Sequence, residues 1–352
     1  MSTMKHISRS LLYAGVTAAV APIAAQAETT IDVYGYTKLD LIYDLDANLG
    51  DTTGGLGSLE PGFDSDTSSR AHARQTRLGV RVDSDTAWGD LKAVIEGDFF
   101  GGAANPFRLR QGYGEINGIL AGQTWTNFMP IESYPGTVDF QGPAGIPFAR
   151  VAQLRYTYDT GSGFKLSGSI EDDVSASSET GVVGESDHLA VTAAASYAFN
   201  GGFVKLAGIG RQLNGDTGDV DGFGINLSGN VQPWQGGSIQ ASYTTGEGIG
   251  SLLVFGGTDV DGDDAIETDG FTIGITQAVS EQFKIGAAYG LREIDSGAAT
   301  DTESLETIHA SAFYSPVSDV TFGLEYFTGE RTLFDNSTAE ADRIQASVQF
   351  TF

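Results

Sequence analysis

The sequence has no cysteine, only three methionines and nine prolines, and beyond residue 25 no apolar run long enough to cross a membrane as a helix. Without cysteine there is no disulfide framework, so stability must come from closed strand pairing or a large core. Without a long apolar run a helical membrane protein is excluded, whereas a large β-protein is not. Basic residues are scarce too: 19 Lys and Arg stand against 46 Asp and Glu, a net charge of −27. That balance excludes nucleic acid as a partner, since phosphate binding needs clustered Lys and Arg on a surface.

What is present begins with a leader. Lys5 and Arg9 precede an apolar run from Leu11 to Ala25, and Ala25-Gln26-Ala27 forms a small-residue cleavage signal. Residues 1–27 therefore read as a cleaved export signal, and one domain is expected to fill 28–352. Removal of the leader takes away two bases and no acid, which leaves the remainder more acidic still.

From Thr30 onward, segments of roughly ten residues alternate apolar and polar with period two. Ile31, Val33, Leu39 and Leu41 share one parity, and Asp32, Lys38 and Asp40 the other. Leu91, Ala93, Ile95 and Phe99 oppose Lys92, Glu96 and Asp98 in the same way. Connections at one end are tight, as at Asn117-Gly118 and Asn200 to Gly202, while those at the other run long, as at 44–70, 127–150 and 246–269. Short turns at one end and long loops at the other are the outer-membrane pattern. The expected fold is all-β: a transmembrane antiparallel β-barrel of about sixteen strands. The final segment agrees, since Ile344, Ala346, Val348, Phe350 and Phe352 form one apolar row that ends on an aromatic. Two places break the alternation. Gln111 and Glu115 share parity with Leu109 and Tyr113, and Lys205 and Arg211 share it with Phe203 and Ile209. Subunit contact, a bulge or a rim position would each relieve this.

The third long connection, Asn127 to Ala149, holds Pro130, Pro135, Pro143 and Pro147 with the acids Glu132 and Asp139. We read it as a loop folded into the lumen to make a narrow, charged constriction. Around it the bases collect: nine of them lie between Arg70 and Arg155. Arg77 and Arg81 share one strand face, Arg108 and Arg110 another, and Arg150 and Arg155 follow the loop, so one sector presents guanidiniums to the lumen. Guanidinium stays charged and forks onto carboxylates, which suits a pathway for anions. Glu96 and Asp98 are the lumen acids that would offset part of this charge.

The segments Ile95-Glu96-Gly97-Asp98-Phe99-Phe100, Arg108-Leu109-Arg110-Gln111-Gly112-Tyr113-Gly114-Glu115 and Ala121-Gly122-Gln123-Thr124-Trp125-Thr126-Asn127-Phe128-Met129 together resemble the DcaP-like outer-membrane channels. Asp139-Phe140-Gln141-Gly142-Pro143 and Gln153-Leu154-Arg155-Tyr156-Thr157 continue the likeness. The resemblance implies a trimeric sixteen-stranded barrel with an arginine-lined constriction that passes small organic anions such as dicarboxylates. It implies that Arg77, Arg81, Arg108, Arg110 and Arg155 are wall residues, with Glu132 and Asp139 on the inward loop. Gln123, Trp125 and Gln153, which stand within these segments, are assigned to the same pathway. Members often carry an N-terminal coiled coil; only Glu28-Thr29-Thr30 precedes the first strand here, so no periplasmic stalk is expected.

Other chemistry is thin. Asp259-Val260-Asp261-Gly262-Asp263-Asp264 resembles a calcium loop, but Asp264 stands where glycine is needed and Gly270 where glutamate is. It reads as a solvated acidic loop, with loose divalent bridging to lipopolysaccharide as the alternative; no cofactor and no resident metal are expected. His309 and Ser311 share a strand face, yet a nucleophile also needs an orienting third group and an oxyanion site, so no enzyme is expected. The expected function is a passive outer-membrane channel for small anionic solutes, with outer-membrane lipid and lipopolysaccharide around it. The alternatives are a weakly selective general porin and an adhesin barrel that works through surface loops such as 48–69.

Overall fold

The structure, a computed structural model, describes residues 28–62, 67–102, 105–173 and 188–352; the expected leader at 1–27 lies outside them, as does most of the connection 172–187. The first strands are β1 (Thr29–Asp44), β2 (Ser68–His72), β3 (Arg77–Thr86), β4 (Gly89–Asp98), β5 (Arg108–Ile116), β6 (Ile119–Trp125) and β7 (Arg150–Asp159). There follow β8 (Phe164–Glu171), β9 (Ala190–Phe199), β10 (Gly202–Asn214), β11 (Asp219–Val231) and β12 (Gly237–Glu247). A small hairpin, β13 (Val260–Asp261) with β14 (Asp264–Ala265), precedes β15 (Glu267–Ala278), β16 (Phe283–Ile294), β17 (Thr302–Val317), β18 (Val320–Leu333) and β19 (Thr338–Thr351).

Apart from β13 and β14, each strand pairs antiparallel with its neighbours, and β1 closes the circle against β19, from Tyr36↔Thr351 to Asp44↔Arg343. Both β2 and β3 pair with β1, so they are two halves of one stave interrupted at 73–76, and the closed barrel has sixteen staves. Closure satisfies every ladder and leaves no open edge, the condition for strands in lipid. The expected alternation is realised: Ile31 is 65% exposed on the outside, while Lys38, Asp40 and Asp44 are buried on the lumen side. Turn chemistry agrees as well. Asn117 and Gly118 both take positive φ, 51° and 79°, the geometry of a two-residue hairpin turn.

Among the described residues the only helical pieces are three 3-10 turns: Thr53–Ser58, Ile131–Ser133 and Gly250–Leu252. They fall in the first, third and sixth long loops, L1 (described over 45–62), L3 (126–149) and L6 (248–266), and the described parts of all three fold inward. Leu49, Leu56 and Leu59 of L1 pack on Leu305, Phe327, Ala339 and Ala341 of the wall. Ile249 and Leu252 of L6 pack with Phe128 and Ala149 of L3 against Ala207 and Ile209. The barrel's core is thus its own loops, packed within one end of the lumen.

A bulge explains one break in alternation and the inward loops explain the other. In β5 the register slips from Glu96↔Gln111 to Gly97↔Leu109, so Arg110 is an extra residue in a bulge. Past the bulge the parity flips, and Gln111 and Tyr113 line the lumen beside Glu96. In β10 the row Lys205, Ala207, Ile209, Arg211 faces inward, and Val204 and Leu206 face lipid. An apolar inward face is stable there because L3 and L6 cover it. Within the stretch 48–69, Leu49, Thr53, Leu56 and Leu59 are buried, so that part of it is not a free surface loop.

Candidate solute pathway

Staves β3 to β7 build one wall. Arg108 forks onto Asp98, with Nε and Nη2 3.0 and 2.9 Å from its two oxygens. Arg110, turned inward by the bulge, bridges Asp98 at 2.7 Å and Glu96 at 3.2 Å. Arg77 lies 3.5 Å from the same Glu96, which also accepts from the Tyr34 hydroxyl at 3.2 Å. Arg150 stacks on Trp125, 4.8 Å from its ring, and lies within electrostatic reach of Arg77, Arg108, Arg110 and Asp98. Four guanidiniums therefore gather around two carboxylates, Glu96 and Asp98.

Aromatic faces hold these planes in place. Phe140 of L3 stacks on Phe100 at 4.5 Å and covers Arg108 and Arg110 at 5.8 and 5.4 Å. The negative face of a ring suits a guanidinium that has lost part of its hydration. Arg110 and Arg150 are 2% and 6% exposed, so they act from behind, whereas Arg77 and Arg108 are half-buried at the lumen surface. Toward the short turns a cleft of about 470 Å³ opens below them, lined by Asp32, Tyr34, Arg81, Lys92, Gln111 and Tyr113.

The other expected residues divide between the pathway and its support. Arg81 is in that cleft, paired with Asp83 at 2.6 Å. Arg155 is held by Gln153 Oε1 at 2.8 Å and by the Trp125 carbonyl, with no carboxylate in that contact. Gln153 is buried and fixes Arg155 while donating to the Trp125 carbonyl at 2.9 Å. Gln123 donates to the Leu109 carbonyl at 3.1 Å and reaches that of Arg110, so it braces the bulge rather than facing a solute. Glu132 is exposed on L3, and its carbonyl accepts from Asn230. Asp139 is different: it is buried, accepts from Thr53 and Gln141, and lies 3.6 Å from Arg343. It ties L3 to L1 and does not line an open passage.

What periodicity did not reveal is how L3 is docked. Glu325 of β18, 1% exposed, accepts from the backbone N–H of Val138 at 2.7 Å and of Asp139 at 3.2 Å. The same carboxylate meets His309 Nδ1 at 3.0 Å and Ser311 Oγ at 2.6 Å. The third group beside His309 and Ser311 thus exists, but both side chains bind it and it holds a loop. Further along, Ala144 donates to Thr307 at 2.9 Å and accepts from Thr272 at 3.0 Å, lying flat on the wall at Gly290. A Cβ at Gly290 would stand 2.5 Å from Ala144 backbone atoms, so only glycine lets the loop lie there. L6 completes the docking, since Phe148 donates to Leu252 and Val254 to Ile146, each at 2.9 Å. In the acidic stretch 259–264, Asp259 is buried against Ser251 and Arg211, whereas Asp261, Asp263 and Asp264 are exposed.

Comparison with known proteins settles the family. The model of the DcaP outer membrane protein family matches residues 10–220. The chain belongs to that family. The structure is similar to the crystal structure of the outer membrane channel DcaP of Acinetobacter baumannii, at 24% identity and a TM-score of 0.83, over 95% of this chain and 100% of that one. It is also similar to an anion-selective porin from Comamonas acidovorans (15% identity, TM-score 0.67, 92% and 100% covered). The in-vitro folded OmpT of Vibrio cholerae, in its trimer form, aligns at 16% identity and a TM-score of 0.63, with 92% and 99% covered. No curated protein matches. As a DcaP-family barrel with porin neighbours, the protein is an outer-membrane channel.

Proposed function

We propose that this channel favours small anions, organic carboxylates among them, and that the wall of β3 to β7 sets the preference. The observation that carries this reading is the gathering of Arg77, Arg108, Arg110 and Arg150 around Glu96 and Asp98 beneath Phe140. An incoming carboxylate meets Arg77 and Arg108 at the surface and exchanges water for forked hydrogen bonds. Passage requires that it also leave; Asp98 and Glu96 compete for the same donors, which keeps each contact weak, and Arg155, Arg81 and Lys92 offer successive sites. A dicarboxylate can span two such positions, which favours it over a monocarboxylate of equal size. The anion-selective neighbour supports this reading through the fold it shares. The trimer described for OmpT supports a homotrimer here, set among outer-membrane lipid and lipopolysaccharide.

The test is competition in a planar bilayer carrying chloride current. Succinate added to one side is expected to reduce the chloride current in a saturable way, and Arg108→Gln to weaken that block several-fold. Linear, non-saturable effects unchanged by Arg108→Gln would leave a general porin in its place.

A further inference from the structure

Four arginines outside the pathway reach from the wall to loop carbonyls. Arg211 donates to Gly248 at 2.6 Å, Arg343 to Gly50 at 2.7 Å, Arg331 to Leu59 at 2.8 Å, and Arg292 to Gly256. Two of them are neutralised: Arg211 contacts Asp173 and Asp259, and Arg343 contacts Asp44 and Asp139. The other two are not. Among the described residues neither Arg292 nor Arg331 has a carboxylate within ion-pair distance, and the one charged group that acts on Arg292 is Arg331. They lie in a single cross-strand row, Arg292↔Leu305↔Arg331, at the loop-bearing ends of β16, β17 and β18. Arg292 is 2% exposed and Arg331 7%, and the Arg292 Nε is buried with no hydrogen-bond partner. Two buried like charges with a vacant donor are costly unless a counter-charge joins them.

We propose that a single small anion of halide size binds between Arg292 and Arg331, beneath Gly256 of L6 and Leu59 of L1. The burial limits its size, and the open Nε of Arg292 supplies a donor for it. The anion would clamp L1 and L6 onto the wall, making the folding of the lumen loops depend on the ions present. This site stands apart from the β3 to β7 wall, and its argument does not need that wall to select anions.

Crystals of the refolded channel grown in bromide test this first. An anomalous peak in contact with Arg292 Nε is expected; full occupancy elsewhere with none at that atom overturns the proposal. Thermal unfolding, with chloride replacing gluconate at constant ionic strength, gives a second reading. The wild type should gain several degrees in a saturable manner. Arg292→Gln should abolish that gain, and Arg331→Gln serves if the first variant does not fold. Arg108→Gln, which leaves the site intact, should keep it. An equal chloride response in wild type and Arg292→Gln contradicts the proposal.

Discussion

The two sides of the barrel use arginine in opposite ways. On β3 to β7, guanidiniums turn to acids and aromatic rings at the lumen surface, and several remain reachable from water. On β10 and β16 to β19, Arg211, Arg292, Arg331 and Arg343 are buried and donate to loop carbonyls. One side is arranged to meet a passing solute, and the other to hold the loops that narrow its path. The residue type is the same; what differs is whether the guanidinium turns to acids and rings or donates to a loop carbonyl. A mutation should therefore change selectivity on the first side and stability on the second.

The sharpest way to break that contrast is Glu325→Ala. It strips acceptors from Val138, Asp139, His309 and Ser311 at once, in a site that water does not reach. We expect about 3 kcal/mol or more of lost stability in urea unfolding of the refolded barrel, with a noisier single-channel current as the L3 tip comes loose. A loss below about 1 kcal/mol would mean that the tip is held by something else. Next in size is Arg343→Gln, which leaves Asp44 and Asp139 buried with fewer donors. It should cost about 2 kcal/mol while leaving ion preference nearly unchanged. Arg108→Gln is the mirror case. Arg110 still satisfies Asp98, so unfolding should move by less than about 1 kcal/mol, yet anion preference should fall several-fold. If Arg108→Gln unfolds the barrel instead, the division between the two sides fails.

The smallest effect concerns the rim. Burial raises the Asp51 carboxyl, but hydrogen bonds from Arg74 and Arg70 outweigh it and hold the group below the usual aspartate range. A depressed carboxyl contributes stability above its unfolded value and loses it as pH falls through the folded one. L1 should therefore stay pinned through neutral pH and loosen only below about pH 4. Hydrogen exchange in 50–60, followed from pH 7 to 3, checks this; loosening already near pH 6 would mean that the Asp51 carboxylate is not what pins L1.

Much of this was legible from period-two alternation. Strand positions, barrel closure and the lumen side of Arg77, Arg81 and Arg108 follow from it, because lipid on one face and water on the other leave few choices. The prolines of 127–149 marked L3 for the same reason, as no ladder could absorb them. The bulge at Arg110 showed only as a conflict at Gln111 and Glu115, since one inserted residue flips parity without any composition signal. The apolar inward face of β10 was misleading because alternation assumes a wet lumen, and L3 and L6 make it dry. Pairings such as Val138 with Glu325 join residues far apart in the chain, and no local pattern carries that information. For the same reason Asp139 looked like a pathway acid and is a buried tie.

The measurement that bears most directly on this division is the zero-current potential of the refolded protein in a planar bilayer under a potassium chloride gradient, for wild type, Arg108→Gln and Arg343→Gln. The account predicts a chloride preference in the wild type that Arg108→Gln sharply reduces and Arg343→Gln leaves in place. A wild-type preference for potassium, or an equal loss in both variants, would contradict it.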